Sequence, residues 1–175
     1  MAGVTEMEHG ALAVSLAECK AQLRLERDDE DAVIAALVRT ALALCEAFTG
    51  QWLIARDAEQ RLAAEGGWQR IAIVPVVAIT GVDAGGAALA AGDHETDIDV
   101  SGGGWVRLAS AGTERPVVRF RAGLAADWNG IPEPLRQGIV RLVVHLFTHR
   151  DAADSGPPPA AVAAMWRPWR RMRLN

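Results

Sequence analysis

One apolar stretch between residues 31 and 50 constrains the fold more than any other feature of the sequence. Apolar residues fill most positions from Val33 to Phe48, and three polar residues interrupt them: Arg39, Thr40 and Glu46. The acidic residues at 28–31 favour a helix N-terminus, and Gly50 favours a helix C-terminus. A surface helix of a small domain needs only one apolar stripe. This helix is therefore predicted to be buried on two sides, and a neighbouring subunit can supply the second.

The other segments predict an α+β fold that is mainly α. Ser15 and Glu18 have the spacing of a capping box at the start of a short first helix. Short β-branched segments separated by glycine-rich turns follow, and they predict a small antiparallel β-module. Helical periodicity returns after Pro132 and Pro134. Together these elements predict an antiparallel helical bundle, with the β-module inserted between the long helices and an extended C-terminal tail.

The predicted organisation has six parts. They are a flexible leader (1–14), the helical part of the bundle (15–50), the inserted β-module (51–123), a third long helix (131–151), a proline-rich linker (152–159), and a short helix with a basic Trp/Arg tail (160–175).

Composition excludes several classes of protein. Half of the residues are hydrophobic, which is enough to build a core and excludes a disordered chain. Two cysteines, Cys19 and Cys45, do not make a disulfide framework. The longest uncharged apolar run, residues 71–82, is too short to span a bilayer and contains Pro75. No membrane partner is therefore expected.

Three motifs invite a catalytic or metal-binding interpretation, and each has a plainer explanation. Four alternating carboxylates suggest calcium but lack the glycine of an EF-hand loop, so a solvated strand face is favoured: Asp93, Glu95, Asp97 and Asp99. His145 and His149 are half of a zinc site, but Arg141 lies on the same line, so surface or interface histidines are favoured. Ser101–Trp105 is glycine-rich but precedes no helix, and it predicts a turn. The chain is expected to be no enzyme and to bind no metal or cofactor.

The C-terminal end contrasts with the rest of the chain. The protein carries a net charge of −4, yet residues 166–175 contain two tryptophans, four arginines and no acidic residue. Tryptophan and arginine are the residue types most often found as hot spots of protein interfaces. Arginines can also contact phosphates while tryptophans stack on exposed bases, so a DNA-binding tail is the competing interpretation.

Two blocks of the sequence, residues 15–53 and 117–151, resemble the head–tail connector (adaptor) proteins of long-tailed bacteriophages. The matching features are an acidic turn, a Thr-Gly helix end, an Ala-Gly strand end, an Ile-Pro pair and an aromatic followed by an arginine: Asp31, Thr49, Gly50, Ala122, Gly123, Ile131, Pro132, Phe147 and Arg150. The sequence departs from this pattern at two positions. Gly138 stands where such helices usually carry alanine, and Leu124 stands where an aromatic is common.

The resemblance implies a structural role. Such connectors form a ring, usually of twelve subunits, between the portal and the neck, stopper or tail component below it. DNA passes through the ring without sequence recognition. Related proteins occur in gene transfer agents, so the expected location is a virion or gene transfer agent particle, with the host cytoplasm before assembly.

The resemblance also assigns roles to residues. In related connectors the C-terminal segment anchors in the portal, which implies a portal-binding set of Trp166, Arg167, Trp169, Arg170, Arg171, Met172, Arg173 and Leu174. The apolar helices imply a subunit interface of Ile34, Leu37, Val38, Leu42, Val143 and Phe147. The candidates for an acidic channel wall are Asp28, Asp29, Asp93 and Asp97. The alternative function is a small DNA-binding protein that uses the Arg/Trp tail.

Overall fold

The computed structural model describes residues 4–6, 13–26, 28–112, 114–149 and 158–171. The chain divides into two compact units. We call residues 11–53 and 127–175 the helical unit, and residues 1–10 and 54–126 the sheet unit. Both are discontinuous in sequence, so each is held together by segments that lie far apart along the chain.

The described part of the helical unit contains four α-helices and a short 3-10 turn. They are α1 (Ala13–Leu23), α2 (Asp31–Thr49), α3 (Glu133–Thr148), α4 (Ala160–Trp166) and the turn Arg167–Trp169. The predicted end of α2 is confirmed. Gly50 adopts a left-handed conformation with φ of 71° and donates its N–H to the carbonyl of Glu46 at 2.8 Å.

The core of the helical unit lies between one side of α2 and one side of α3. The buried aliphatic side chains of these two helices are Ile34, Val38, Ala41, Leu135, Ile139, Leu142 and Val143. α1 packs on both helices and contributes the buried Cys19. Burial of one such aliphatic side chain contributes roughly 1.5–3 kcal/mol, so this cluster is the main source of stability in the unit.

The chain beyond α3 completes this core. Trp166 at the end of α4 is fully buried, and its indole N–H donates to the carbonyl of Leu135 at 3.3 Å. The centroid of its ring lies 5.8 Å from that of Phe48. A β-carbon at position 138 would lie 2.8 Å from Cδ1 of Trp166, which is closer than two carbon atoms can pack. Glycine instead of alanine at position 138 therefore makes room for the indole ring.

The chain remains packed on the helical unit from Trp166 to Arg171. The side-chain amide of Gln51 donates to the carbonyl of Trp169 at 3.1 Å, and the N–H of Arg171 donates to the carbonyl of Thr49 at 2.8 Å. Residues 160–166 form α4 at the place of the predicted short helix. The extended tail predicted after it is not what the structure shows for residues 167–171, which form a 3-10 turn and a segment that is hydrogen-bonded to the end of α2.

The described part of the sheet unit contains eight strands in two antiparallel sheets. The strands are β1 (Val4–Glu6), β2 (Arg56–Arg61), β3 (Gly67–Arg70), β4 (Val76–Ala84), β5 (Ala87–Ala88), β6 (His94–Ile98), β7 (Gly104–Leu108) and β8 (Val117–Ala122). The five-stranded sheet has the order β1-β2-β8-β4-β5, and the three-stranded sheet has the order β3-β7-β6.

Alternation along the strands builds the core of the sheet unit. Gly104, Val106 and Leu108 of β7 are buried while the side chains between them are not, and β8 buries Val118 and Phe120 in the same way. Successive side chains of a strand point to opposite faces. Each of these strands therefore has one face in the core and one face toward solvent.

The predicted α+β class is confirmed, but a mainly α fold built on a helical bundle is not. Eight strands accompany the four α-helices of the described residues. Within the predicted flexible leader (1–14), Val4–Glu6 pair with β2 and α1 begins at Ala13, while residues 1–3 and 7–12 lie outside the described residues. Ser15 consequently lies inside α1 and not at the N-cap position that a capping box requires.

The turn between β6 and β7 is organised by one carboxylate. Oδ1 of Asp99 accepts hydrogen bonds from the hydroxyl and N–H of Ser101 at 2.6 and 2.8 Å and from the N–H of Gly103 at 2.9 Å. Oδ2 accepts the indole N–H of Trp105 at 3.2 Å. These hydrogen bonds, led by that of the Ser101 hydroxyl, hold the pKa of Asp99 well below its usual range.

Replacement of Asp99 is expected to remove the contribution of this carboxylate to the pH dependence of the protein's stability. The carboxylate has a lowered pKa in the folded state, so its stabilising contribution is present above its ordinary pKa of 3.8 and is lost as the pH falls through the folded-state value. Asp99→Asn should therefore lower the melting temperature near neutral pH, and the difference from the unmodified protein should shrink in strong acid. Asp97→Asn is the control. Equal effects of the two substitutions would contradict this account.

Gly138→Ala is expected to lower the free energy of unfolding by about 1–3 kcal/mol, because the added methyl group overlaps the Trp166 indole. Urea denaturation measures the change. Gln137→Ala on the exposed side of the same helix is the control, with a change within about 0.5 kcal/mol. In a Trp166→Ala background the clash is gone, and Gly138→Ala should become stabilising through the higher helix propensity of alanine. Destabilisation in both backgrounds would exclude the contact with Trp166 as the cause.

Candidate assembly surfaces

α2 leaves one contiguous face uncovered along its whole length. The exposed positions recur at helical spacing, and we refer to them as the α2 outer face: Ala32, Val33, Ala36, Arg39, Thr40, Ala43, Leu44 and Ala47. Val33 and Leu44 are 46% and 40% exposed. Thr40 donates its hydroxyl to the carbonyl of Ala36 at 3.0 Å and so has its hydrogen bond within the helix. Arg39 is the single charged residue of this face.

An apolar surface of this extent is typical of a protein contact. Single exposed apolar residues are normal on a folded protein, but a contiguous patch marks an interaction site. The opposite side of the helix is covered by the chain itself, since Ile34, Val38 and Cys45 are fully buried there or nearly so. The chain itself therefore covers one side of α2, and the α2 outer face is the side that it leaves uncovered.

The residues predicted for the subunit interface fall into two groups. Ile34, Val38 and Val143 are 0–1% exposed, so they are core residues and do not face a second copy. The remaining three, Leu37, Leu42 and Phe147, are half-buried. The sequence prediction did not separate the two sides of α2, whereas the helical spacing of alanines around Val33 and Leu44 is the signal that identifies the uncovered side.

By length and composition alone, α2 could also cross a membrane. Its 18-residue window has a mean hydropathy of 1.7, and 28% of that window is buried. Core helices pass the same test. The contacts of α2 with α3, and the burial of Ile34 and Val38 between them, are those of a core helix.

The predicted channel-wall carboxylates lie in both units. Asp28 and Asp29 precede α2 in the helical unit, whereas Asp93 and Asp97 belong to the sheet unit. Lys20 donates to Asp28 at 2.6 Å and contacts Asp31 at 2.7 Å, and its hydrogen bond lowers the pKa of Asp28. All four candidates are exposed. Their orientation toward a channel stays a prediction.

The residues predicted to bind a portal differ in their access to solvent. Trp166 belongs to the core of the helical unit, so its ring is not free for a partner. Arg167 and Arg170 are exposed, and the guanidinium of Arg170 lies 5.8 Å from the ring centroid of Phe48. Trp169 and Arg171 are half-buried. The last three candidates, Met172, Arg173 and Leu174, lie outside the described residues.

The described residues contain no group of three or more His, Cys, Asp or Glu side chains that would hold a metal ion. The rings of His145 and His149 lie 4.3 Å apart, and His149 Nδ1 lies 2.9 Å from the carbonyl of His145. Burial raises the pKa of Cys19 to about 12 and also raises the pKa of Cys45. Both thiols are therefore protonated near neutral pH and are poor nucleophiles and metal ligands.

Comparison with known proteins gives matches among solved structures. No family model and no curated protein matches the sequence. A chain in the neck of an empty gene transfer agent (GTA) particle, computed with C6 symmetry, superposes with a TM-score of 0.78 at 25% identity, and the match covers 99% of this chain and 97% of that chain.

Two further structures of this kind match. A chain in the virion of a native GTA particle has a TM-score of 0.77 at 23% identity, over 98% of this chain and 97% of that chain. A chain in the neck of a native GTA particle, computed with C12 symmetry, has a TM-score of 0.74 at 23% identity, over 99% and 97%. The likeness extends over both units, so this chain has the fold of these particle components.

Proposed function

We propose that this chain is a structural component of the neck of a gene transfer agent or long-tailed phage particle, in which copies of it form a closed ring. The observation that carries the proposal is the uncovered α2 outer face on a fold shared with a neck chain over 99% of the present chain. No catalytic or cofactor-dependent activity is part of this function.

The ring is proposed to be cyclic, with about twelve copies as the resemblance to connectors implies. Two of the matching neck structures were computed with C6 and C12 symmetry. In a cyclic ring every subunit uses two different surfaces, one toward each neighbour. The α2 outer face is well suited as one of them, because burial of its aliphatic side chains against a second copy removes apolar area from water.

The position in the neck is proposed to lie between the portal and the next neck, stopper or tail component. DNA then passes through the ring without sequence recognition. Exposed carboxylates such as Asp29, Asp93 and Asp97 repel phosphates if they line the channel.

The contact with the portal is proposed to be made by the end of the chain beyond Arg171. The N–H of Arg171 donates to the carbonyl of Thr49, so the part of the predicted portal-binding set that follows this contact in the chain is residues 172–175. Exposed Arg167 and Arg170 add positive charge beside it. A DNA-binding tail is less well supported, because the buried indole of Trp166 cannot stack on a base.

Charges placed on the α2 outer face are expected to prevent ring formation. Val33→Glu combined with Leu44→Glu should lower the amount of this chain per particle at least about tenfold, because each new carboxylate must be desolvated in an apolar contact. Quantitative mass spectrometry of purified particles measures the amount.

Ala161→Glu, at an exposed position in the first turn of α4, is the control for added charge. Thermal unfolding of the purified variants should match that of the unmodified protein, since all three positions are exposed. Unchanged incorporation of the double variant would exclude the α2 outer face as a ring contact.

The end of the chain is tested by truncation after Arg171. The truncated variant keeps Trp166 and the contact with Thr49, so it should unfold at the same temperature as the full-length protein. It should fail to co-sediment with portal rings encoded by the same genome, at low and at moderate salt. A chain ending at Ala164 is unsuitable for this comparison, because loss of the buried Trp166 costs about 3–5 kcal/mol. Retained binding after truncation at Arg171 would contradict the portal role of residues 172–175.

A further inference from the structure

The solvent face of the three-stranded sheet carries two tryptophans among charged residues. Direct cross-strand partners share a face of a sheet, and the register gives two rows of three residues. One row contains Trp68, Arg107 and Glu95, and the next contains Arg70, Trp105 and Asp97. We refer to these six residues as the tryptophan face.

Contacts within the tryptophan face hold part of it in place. Arg107 pairs with Glu95 at 3.0 Å, and the guanidinium of Arg70 lies 5.7 Å from the ring centroid of Trp105. Trp105 is held from its other end by the hydrogen bond to Asp99. Trp68 is 50% exposed despite its size. An indole ring that is already held in place, as that of Trp105 is, favours binding because little side-chain entropy is lost on contact.

The charges of the tryptophan face argue against nucleic acid as its partner. Two arginines and two carboxylates give a net charge of zero, and Arg107 is already paired with Glu95. Binding to phosphates depends on uncompensated positive charge. A neutral face with two tryptophans and two arginines has the composition of the centre of a protein–protein contact.

A cyclic ring needs a second surface that is complementary to the α2 outer face. Of the large hydrophobic residues that are strongly exposed in the described part of the chain, Val33 and Leu44 lie on α2, and the others lie in the sheet unit: Trp68, Val77, Ile98 and Val100. Trp68 belongs to the tryptophan face, which also contains Trp105. The alanines of the α2 outer face allow close approach of flat aromatic rings.

Charge complementarity selects the same pair of surfaces. Arg39 is the charge of the α2 outer face, and it is exposed with no ion pair to any described residue. Asp97 of the tryptophan face is likewise exposed and has no ion pair to a described residue. We propose that, in the ring described under the proposed function, the α2 outer face of one copy packs on the tryptophan face of the next copy and that Arg39 of the first meets Asp97 of the second.

The dimensions of the two faces agree. Three neighbouring strands span about 10 Å between the outer strands, and an α-helix with its side chains is about 10 Å wide. A contact between one helix and six side chains buries less surface area than the roughly 800 Å² per partner that is buried in a stable complex. A pair of copies is therefore expected to associate weakly, and the closed ring on its particle gains stability because many contacts act together.

Exchange of the two charges tests this pairing. In particles produced by cells that carry the variant gene, Arg39→Asp and Asp97→Arg alone should each lower the amount of this chain per particle about tenfold, because each places like charges together. The double variant restores the opposite-charge pair, so its amount should return to within about twofold of the unmodified level. Arg141→Asp combined with Asp97→Arg is the control and should not restore it, since Arg141 is an exposed residue of α3 outside the α2 outer face.

A photo-crosslinking residue at position 68 supplies a readout that does not depend on charge. Crosslinked peptides from purified particles should come from residues 31–49 of another copy, which is recognised by mixing isotopically labelled and unlabelled chains. Crosslinks to a different particle protein, crosslinks within one copy, or the absence of rescue by the double variant would each overturn the pairing. Absence of the unmodified chain from purified particles would instead overturn the proposed function itself.

Discussion

The packing of α2 determines much of the structure. This helix is apolar over most of its circumference, but α1, α3 and the C-terminal segment cover only one side of it. Its end is bound by the chain's own C-terminal residues, through the hydrogen bond from Arg171 to Thr49 and the ring contact between Trp166 and Phe48. The other side stays in solvent. This helix gives the chain both a folded core and an apolar face that is exposed to solvent. Such a combination is expected of a subunit that assembles with other copies.

Local signals in the sequence predicted the elements that depend on local physics. Gly50 ends α2 because a left-handed residue is needed there, and glycine-rich turns follow β4 and precede β7, as the sequence predicts for the β-module. β1 was missed because three residues near the N-terminus carry almost no periodicity. That strand exists through its pairing with β2, which is more than fifty positions away in the chain.

The tertiary contacts explain the remaining differences. The Trp/Arg composition of the C-terminal end suggested an exposed tail, but Trp166 is a core residue, and composition alone does not distinguish the two. The feature of the sequence that indicates a buried Trp166 is Gly138 on the apolar side of α3. A glycine in the middle of a helix destabilises it, so its presence there suggests that another side chain occupies the space beside it. The tryptophan face was equally hidden, because Trp68 and Trp105 become neighbours only through the register of three strands.

The central claim is that another copy of this chain covers the α2 outer face in the particle. Hydroxyl-radical footprinting tests it most directly, by comparing oxidation of Val33 and Leu44 in the free chain with their oxidation in purified particles. The account predicts strong labelling of both side chains in the free protein and strong protection in the particle, while exposed positions such as Val100 serve as an internal reference. Equal labelling of Val33 and Leu44 in both states would contradict the account.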